Sequence, residues 1–397
     1  MSEDLHLDGK RFELVLHAFY YTYITFEWMT LLYRVFPAHI YISICVAFWG
    51  AIASLQSIAN SFGILMFLRA LLGIGEAAFG PGVPFYLSFF YRREELAFRN
   101  GLFISASPLA SSFAGALAYA IQSAGPHMKI RPWRLIFLVE GLPSILVALW
   151  AWHWIPDSPA TARWLTAHER RIAVLRLRRD IERRDSTTTS PKPRGIILKE
   201  ALQALKDPKS WITALMFLSC NVAFSSMPIF MPTIIHSFGF TPLRSQLLTA
   251  PVYLTTFLSL LLTAHLSDKH STRSLFLIPH ALLAASGYLT LTFTGYYRIQ
   301  NNLLNYLMLY PATIGFFSCI TLIITWTVNN QDTESKRGVG IAVLQAVGQC
   351  GPLVGTSIFP DEEAEGFVRG MAVCAACMVA VAVLAVGLRV WLGRCNR

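Results

Sequence analysis

Long apolar stretches, each of about the length that crosses a lipid bilayer, recur along most of this chain. A transmembrane helix needs about 20 mostly apolar residues. Eleven stretches meet that requirement, and they lie at 12–33, 40–61, 62–90, 101–124, 133–154, 211–238, 246–266, 274–296, 303–328, 338–359 and 368–392. The pattern therefore predicts an all-α, polytopic membrane protein with about eleven transmembrane helices.

The composition argues against most soluble classes of protein. Only 14% of the residues are charged and 54% are hydrophobic, whereas a soluble domain carries about 25% charged residues. These values argue against a soluble enzyme or a nucleic-acid-binding protein, and the apolar content excludes a disordered chain. No nucleophile–base pair or cofactor motif stands out, so we expect neither catalysis nor a cofactor.

Histidine and cysteine do not indicate a metal site. The ten histidines show no paired ligand spacing. Only Cys374 and Cys377 have the CxxC spacing, and they lie in an apolar run without a second pair. Small residues at a membrane helix interface are the favoured interpretation of that pair. We therefore predict no bound metal.

Basic residues are concentrated on one side of the predicted membrane. The connectors between consecutive spans alternate sides, and one set holds 24 Lys and Arg against 8 in the other. Cytoplasmic loops carry the excess of Lys and Arg. We therefore predict a cytoplasmic C-terminus and an external N-terminus, with segment 155–209 supplying most of the asymmetry.

Segment 155–209 is also the one marked change in composition. It holds 13 basic and 7 acidic residues and separates five apolar stretches from six. We predict an N-terminal helical bundle at 1–154, a cytoplasmic basic linker at 155–210 and a C-terminal helical bundle at 211–397. The run AHERRIAVLRLRRDIERR within the linker is typical of an amphipathic helix on anionic lipid. A division into five and six spans matches a transporter of two six-span halves from which the first span is absent.

Ionisable residues occur inside the predicted spans, where each costs about 2.5–3.5 kcal/mol on insertion scales. Arg69 and Glu76 lie seven residues apart and share one helix face at a distance of about 10 Å. Two interpretations are open for this pair. It either attracts an anion and exchanges a proton in a cavity, or it is a structural ion pair that locks helices. Glu27 is open to the same two interpretations and to a contact with Arg69, and Glu140 is the fourth such residue.

The third apolar stretch has features that predict a bend and close packing. The run GPGVP at 80–84 should interrupt the helix. Gly73, Gly75 and Gly80 should permit close approach of a neighbouring backbone.

Polar amides inside the second group of spans are candidate ligand contacts. Asn221 and Gln345 lie within apolar sequence, and an amide can orient a carboxylate. The alternative is that each bonds across helices and contributes less than about 2 kcal/mol to packing.

The run AHLSDKHSTR at 264–273 places a carboxylate and two bases where a helix meets the cytoplasm. Asp268, Lys269 and Arg273 can form a charge lock that breaks and re-forms between conformations. The alternative is a solvated turn that follows the distribution of basic residues.

This run resembles the GxLxDRxxxR signature of the major facilitator superfamily, with alanine in place of glycine and lysine in place of arginine. Further strings are similar to those of one branch, the fungal anion:cation symporters, which include allantoate, nicotinate, pantothenate and biotin permeases. These strings are FLRALLGIGEAAFGPGVPFYLSFFYRREE (67–95), PWRLIFLVEG (132–141), IPDSPATARWLTAHER (155–170), FMPTII (230–235), QLLTAPVY (246–253), WTVNN (326–330) and KRGVGIA (336–342).

The resemblance implies a monomeric two-bundle transporter in the plasma membrane that works by alternating access. It implies a small organic anion or a vitamin-like solute as substrate, with protons as the coupling ion. The fourth span of the family carries the matching Arg69 and Glu76, and the second carries the matching Phe26 and Glu27. Arg69 is then expected to attract the anion, and Glu76 or Glu27 to take the proton.

The resemblance also implies a gating role for Arg34, in the first-half loop that corresponds to the signature loop of Asp268, Lys269 and Arg273. The chain begins at a sequence that resembles the loop after the first span, so we expect that span to be absent.

Two alternatives to import remain open. The protein either exports a secondary metabolite or drug, or it is a non-transporting remnant or sensor that lacks a helix of the central cavity.

Overall fold

The structure is a computed structural model. It describes residues 4–5, 7, 9–92, 95–124, 130–182, 198–270, 272–299, 301–331, 334–359 and 367–395, and all regular elements within these ranges are helical. This confirms the predicted all-α class. The α-helices are α1 (Gly9–Phe26), α2 (Ala38–Leu55), α3 (Phe62–Ala77), α4 (Phe79–Leu87), α5 (Leu96–Ala124), α6 (Pro132–Trp154), α7 (Ala167–Glu182), α8 (Leu198–Lys206), α9 (Pro208–Ser237), α10 (Pro242–Lys269), α11 (Ser274–Tyr296), α12 (Asn302–Asn329), α13 (Glu334–Gly348), α14 (Cys350–Ser357) and α15 (Val368–Cys395).

Ten of the eleven predicted spans coincide with helices that are long and apolar enough to cross a membrane. Within the described part of the chain these are 38–58, 62–87, 98–124, 132–154, 208–237, 242–269, 274–296, 302–329, 336–357 and 368–394. The number of membrane-spanning helices is therefore close to the prediction.

The first predicted span, 12–33, is not one continuous α-helix. The α-helix α1 ends at Phe26, and a 3₁₀ helix follows at Glu27–Arg34. Every residue of the run FYYTYITF at 19–26, immediately before the change, is aromatic or β-branched. These residue types lose side-chain freedom in an α-helix and propagate it weakly, which favours a change of helix type at this point.

Two spans are interrupted near a proline. The first breaks at Ala78, between α3 and α4, slightly before the predicted position at 80–84. Pro81 has no N–H to bond to the carbonyl of Ala77, so the helical hydrogen-bond ladder already stops there. The second breaks at Gln349, between α13 and α14, where Pro352 likewise leaves the carbonyl of Gly348 without its helical partner.

Glycines bring α3 against α1 and α2, as predicted. A Cβ atom on Gly73 would lie 2.3 Å from the Phe19 carbonyl oxygen of α1, and one on Gly75 would lie 2.7 Å from the Phe48 ring of α2. A Cβ on Gly80 would lie 2.6 Å from the Tyr23 hydroxyl. The helices are therefore close enough for direct hydrogen bonds between them.

Helices from before and after the linker meet along two lines of contact. Helix α5 packs along α10, where Gly101 faces Ala264 and Gly115 faces Thr249. Helix α1 packs on α14, and α4 and the 3₁₀ segment pack on α13. The predicted bundle boundaries at 154 and 211 stay predictions.

The described part of the linker contains α7 and α8. Helix α7 begins with a capping box in which the Thr166 N–H and hydroxyl each donate to Glu169 Oε2 at 2.8 Å. These hydrogen bonds lower the pKa of the Glu169 carboxyl. Arg176 of α7 forms an ion pair with Glu95 beside α5. Ile172 and Leu175 are exposed, and the predicted contact of this helix with lipid stays a prediction.

Candidate functional site

Arg69 lies on α3, inside a helical stretch that is long and apolar enough to cross a membrane, among several electrostatic partners. Its guanidinium interacts with Glu76, Tyr20 and Glu140, and its Cζ atom lies 5.8 Å from the centroid of the Phe137 ring on α6. The Arg69 side chain is half-buried, and its enclosed Nε atom has no hydrogen-bond partner among the described residues. The guanidinium is therefore held near carboxylates while retaining a donor that no described protein group uses.

Two tyrosines of α1 extend this polar group towards Glu27. Tyr20 interacts with both Glu76 and Arg69, and Tyr23 interacts with both Glu76 and Glu27. The two tyrosines are three residues apart on one helix face. The resulting polar row consists of Arg69, Tyr20, Glu76, Tyr23 and Glu27.

Glu27 is the most deeply buried acidic residue of this row. Only 2% of its surface is exposed, and neither carboxylate oxygen has a hydrogen-bond partner in the described part of the chain. The expected direct contact between Glu27 and Arg69 is thus not observed among the described residues. Glu140 lies on the exposed side of α6 and interacts with Arg69 from there.

The two amides of the later spans lie within helix packing. The Nδ2 atom of Asn221 on α9 donates to the carbonyl oxygen of Gly348 at 3.1 Å. This is the carbonyl left without its helical partner by Pro352, so Asn221 completes the interrupted hydrogen-bond ladder. Gln345 is also buried, and its Oε1 atom accepts from Gln349 Nε2 at 3.3 Å. Their predicted contact with a ligand stays a prediction.

Asp268 joins the two parts of the molecule at the end of α10. Its Oδ2 atom accepts from the Phe98 N–H of α5 at 2.6 Å, and its Oδ1 atom lies 2.6 Å from Arg273 Nη2. The buried Arg273 also donates to the Ser267 hydroxyl at 2.9 Å. Arg273 is buried and Asp268 is half-buried, and the charge lock stays a prediction.

The other two predicted gating residues are Lys269 and Arg34. The Lys269 side chain is exposed to solvent. The Arg34 side chain lies outside the described residues. The gating role of all four residues stays a prediction.

Sequence analysis did not identify the two tyrosines of the polar row or a polar contact between Asp157 and His39. Tyr20 and Tyr23 precede Glu27 by seven and four residues, a helical spacing that would have indicated their common face. Asp157, after α6, accepts from the His39 N–H at 3.1 Å, and its oxygens lie 2.9 and 3.0 Å from His39 Nδ1 at the start of α2. No sequence pattern indicates that pair, because its members are 118 positions apart.

Comparison with known proteins agrees with this architecture. The family model of the Major Facilitator Superfamily matches residues 1–356. The MFS transporter prlL of a fungal species (strain NRRL 50135) is 31% identical over 398 residues, which cover 99% of this chain and 78% of that protein. The high-affinity nicotinic acid transporter of Saccharomyces cerevisiae is 26% identical over 381 residues, which cover 96% of this chain and 68% of that protein.

A solved structure supports the fold independently. The proton:xylose symporter XylE, bound to 6-bromo-6-deoxy-D-glucose, superposes with a TM-score of 0.71 at 14% identity. The superposition covers 94% of this chain and 84% of that one. With the family match and the membrane-spanning helices, these similarities establish that the chain belongs to the major facilitator superfamily of integral membrane transporters.

Proposed function

We propose that this protein is a secondary active transporter that moves a small organic anion across the plasma membrane by alternating access, coupled to protons. The observation that carries the proposal is Arg69, a guanidinium at membrane depth with an enclosed, unused donor and a neighbouring carboxylate. An arginine in that position is costly and normally faces protein or a water-filled cavity. A transported anion would supply the partner that the described residues do not provide for the Arg69 Nε donor.

The chemistry of Arg69 favours an anion as that ligand. A guanidinium is always charged and presents several N–H donors in a fork that matches a carboxylate. Because Glu76 and Glu140 partly balance its charge, the site suits a small anion with one carboxylate rather than a multiply charged one. The similarity to a nicotinic acid transporter and to the anion:cation symporter branch supports the same class of substrate.

The carboxyl groups of Glu76 and Glu27 are the candidates for proton coupling. A carboxyl group removed from water is able to exchange a proton near neutral pH. Both residues belong to the polar row that starts at Arg69. A proton on Glu76 removes the negative charge that competes with the substrate for Arg69, which would couple the binding of the two.

The contacts of Asp268 suit a transporter that alternates between two arrangements. Its bond to the Phe98 N–H joins α10 to α5 across the predicted boundary between bundles. Its ion pair with Arg273 remains within one bundle, so rocking of the bundles breaks the first contact and leaves the second. Arg34 and Lys269 are proposed to contribute charge on the same face.

The test is uptake by the complete chain in yeast cells that lack their own carriers for these solutes. Radiolabelled nicotinate, pantothenate and allantoate are presented to wild type, Arg69→Ala and Arg69→Lys. We expect uptake by wild type, loss to the background level in Arg69→Ala and partial activity at most in Arg69→Lys, because lysine lacks the planar fork. Arg244→Ala, which removes an exposed arginine of α10, is the control and should retain uptake.

The outcomes distinguish the alternatives. Normal uptake by an Arg69→Ala protein that reaches the membrane would remove Arg69 from the mechanism. Accumulation of a compound inside cells from which the gene is deleted would favour export. Absence of both uptake and export by wild type would favour a non-transporting role.

A further inference from the structure

The 3₁₀ segment Glu27–Arg34 is unusual in length. A 3₁₀ helix has three residues per turn, so side chains three positions apart lie directly above one another, and runs beyond three or four residues are uncommon. This one extends over 8 residues within the first predicted span. The segment directly follows α1, and its three-residue repeat places Glu27, Thr30 and Tyr33 in a single line.

All three side chains of this line are buried and carry unused polar atoms. Glu27, Thr30 and Tyr33 are 2%, 2% and 5% exposed. Both Glu27 oxygens, Thr30 Oγ1 and Tyr33 Oη have no hydrogen-bond partner among the described residues. Buried polar side chains nearly always have a partner, which is either protein or ordered water. Three such side chains in one line can share one partner.

The neighbouring Tyr41 provides a contrast, because its hydroxyl has a protein partner. Its hydroxyl donates to the Met29 carbonyl oxygen at 2.9 Å. Its ring meets that of Tyr33 edge to face, with the ring centroids 4.9 Å apart. On the other side, a Cβ atom on Gly82 would lie 2.1 Å from the Tyr33 ring. Tyr33 is thus fixed by packing alone, and its hydroxyl is left for another partner.

The line of three side chains runs from the polar row towards the predicted cytoplasmic loop. Six residues of 3₁₀ helix extend about 12 Å at about 2.0 Å per residue. At one end, Glu27 interacts with Tyr23 of the polar row. At the other end, Tyr33 precedes Arg34 and the loop that is predicted to be cytoplasmic. We call Glu27, Thr30 and Tyr33 the polar stripe.

We propose that the polar stripe is a proton path, in which enclosed water molecules connect Glu27 with the cytoplasmic face. This inference rests on the proposed function, since it assigns the route of the coupling proton. In the release step the O–H bond of the Glu27 carboxyl group breaks and its proton passes to the first water molecule of the path, and each water molecule or hydroxyl that accepts one proton donates another onwards. The last transfer forms hydronium at the cytoplasmic face and leaves the Glu27 carboxylate; the same path runs in reverse when the cytoplasmic pH falls.

Other titratable groups surround the stripe and enter the interpretation of any pH effect. The 3₁₀ segment packs on α1, α3, α4 and α13, and Tyr33 also contacts α2. Tyr33 interacts electrostatically with Tyr41 and Cys45 of α2 and with Tyr86 of α4. Tyr23 of α1 interacts with Glu27 and with Glu76 of α3, and α13 contributes the half-buried Lys336 and Arg337.

The experiment measures the protonation of Glu27 without requiring a known substrate. Dicyclohexylcarbodiimide modifies protonated carboxyl groups in apolar surroundings, and mass spectrometry quantifies the modified peptide. The complete chain is reconstituted in sealed vesicles of known orientation. The pH on one face is changed from about 6 to about 8, a range in which a desolvated carboxyl group can titrate, while the other face is held constant. Thr30→Val with Tyr33→Phe removes both hydroxyls, and Tyr41→Phe is the matched control.

In wild type we expect modification of Glu27 to fall several-fold when the cytoplasmic face is made alkaline, and not when the outer face is. In the double variant the response to cytoplasmic pH should slow by about tenfold or more, because the path loses two links. Tyr41→Phe should respond as wild type does. Modification that follows the outer pH, or a double variant as fast as wild type, would overturn the proposal.

The experiment separates a failure of the proposed proton path from misfolding of the double variant and from a failure of the proposed transport. If the double variant does not fold, the dependence of wild-type modification on the pH of one face still decides the direction of the path. A failure of the stripe leaves the uptake result for Arg69 intact, and a failure of uptake leaves the face dependence of Glu27 intact.

Discussion

The helices before and after the linker place their charges differently. In residues 9–154, Glu27, Arg69, Glu76 and Glu140 lie inside predicted spans. In residues 208–395, helices α11, α12 and α14 contain no Asp, Glu, Lys or Arg, and the charges of the other helices lie near their ends. The earlier helices therefore carry charged residues within predicted spans, which costs insertion free energy. Such placement is expected of a part that binds ions and substrate.

The extent of burial also differs between the two groups of helices. The most apolar 18-residue stretch of α12 is 72% buried, whereas that of α6 is 17% buried. Around α12 the later helices form the largest hydrophobic core, with Met227, Phe316 and Phe317 at its centre. Hydroxyls without a partner also occur there, on Tyr253, Tyr288 and Ser318. The comparison suggests that the later helices chiefly provide a rigid framework and the earlier helices chiefly provide chemistry.

The largest expected effect tests the framework. A Cβ atom on Gly315 of α12 would lie 2.4 Å from the His280 carbonyl oxygen and 2.5 Å from Ala284 Cβ on α11. Gly315→Val should separate these helices and cost about 1–3 kcal/mol or more of stability. Thermal melting in detergent measures the effect. Gly387→Val, where a Cβ meets nothing within 4 Å, is the control, and equal melting temperatures for both variants would contradict the dense packing of α11 and α12.

The next effect tests the junction between the two regions. Asp268→Asn keeps an acceptor for the Phe98 N–H but leaves the buried Arg273 without its carboxylate. We expect a loss of about 1–3 kcal/mol of stability together with a several-fold slower transport cycle. Melting and initial uptake rates measure the two effects. Lys269→Gln removes an exposed charge and should change neither the stability nor the uptake rate. If Asp268→Asn has as little effect as Lys269→Gln, the charge lock is ruled out.

The smallest effect decides whether Asn221 belongs to the framework or to the chemistry. Asn221→Ala leaves the carbonyl of Gly348 without a partner and should lower stability by about 0.6–1.7 kcal/mol, the range for polar contacts between membrane helices. The apparent affinity for substrate should not change. Ser219→Ala, which removes an exposed hydroxyl bonded within its own helix, is the control. A large rise in KM at unchanged stability would instead make Asn221 a ligand contact.

Much of the fold was predictable because it depends on local properties of the chain. The length of an apolar stretch and the thickness of a bilayer are enough to locate a transmembrane helix. The close approach at Gly73 follows from the absence of a side chain, and the interruption near Gly80 follows from a missing proline N–H. The change from α to 3₁₀ geometry at Glu27 was not predicted, because that choice depends on what packs around the residue.

The candidate site was predictable only in its residue types. Charges at membrane depth identified Arg69, Glu76 and Glu27 from sequence, since a buried charge is costly wherever it occurs. Tertiary structure decided which groups they meet: Tyr23 interacts electrostatically with both Glu27 and Glu76, and Asn221 bonds to a carbonyl 127 positions away. These contacts depend on the rotation and depth of each helix relative to its neighbours, which are set by packing across the molecule and not by any local stretch of sequence.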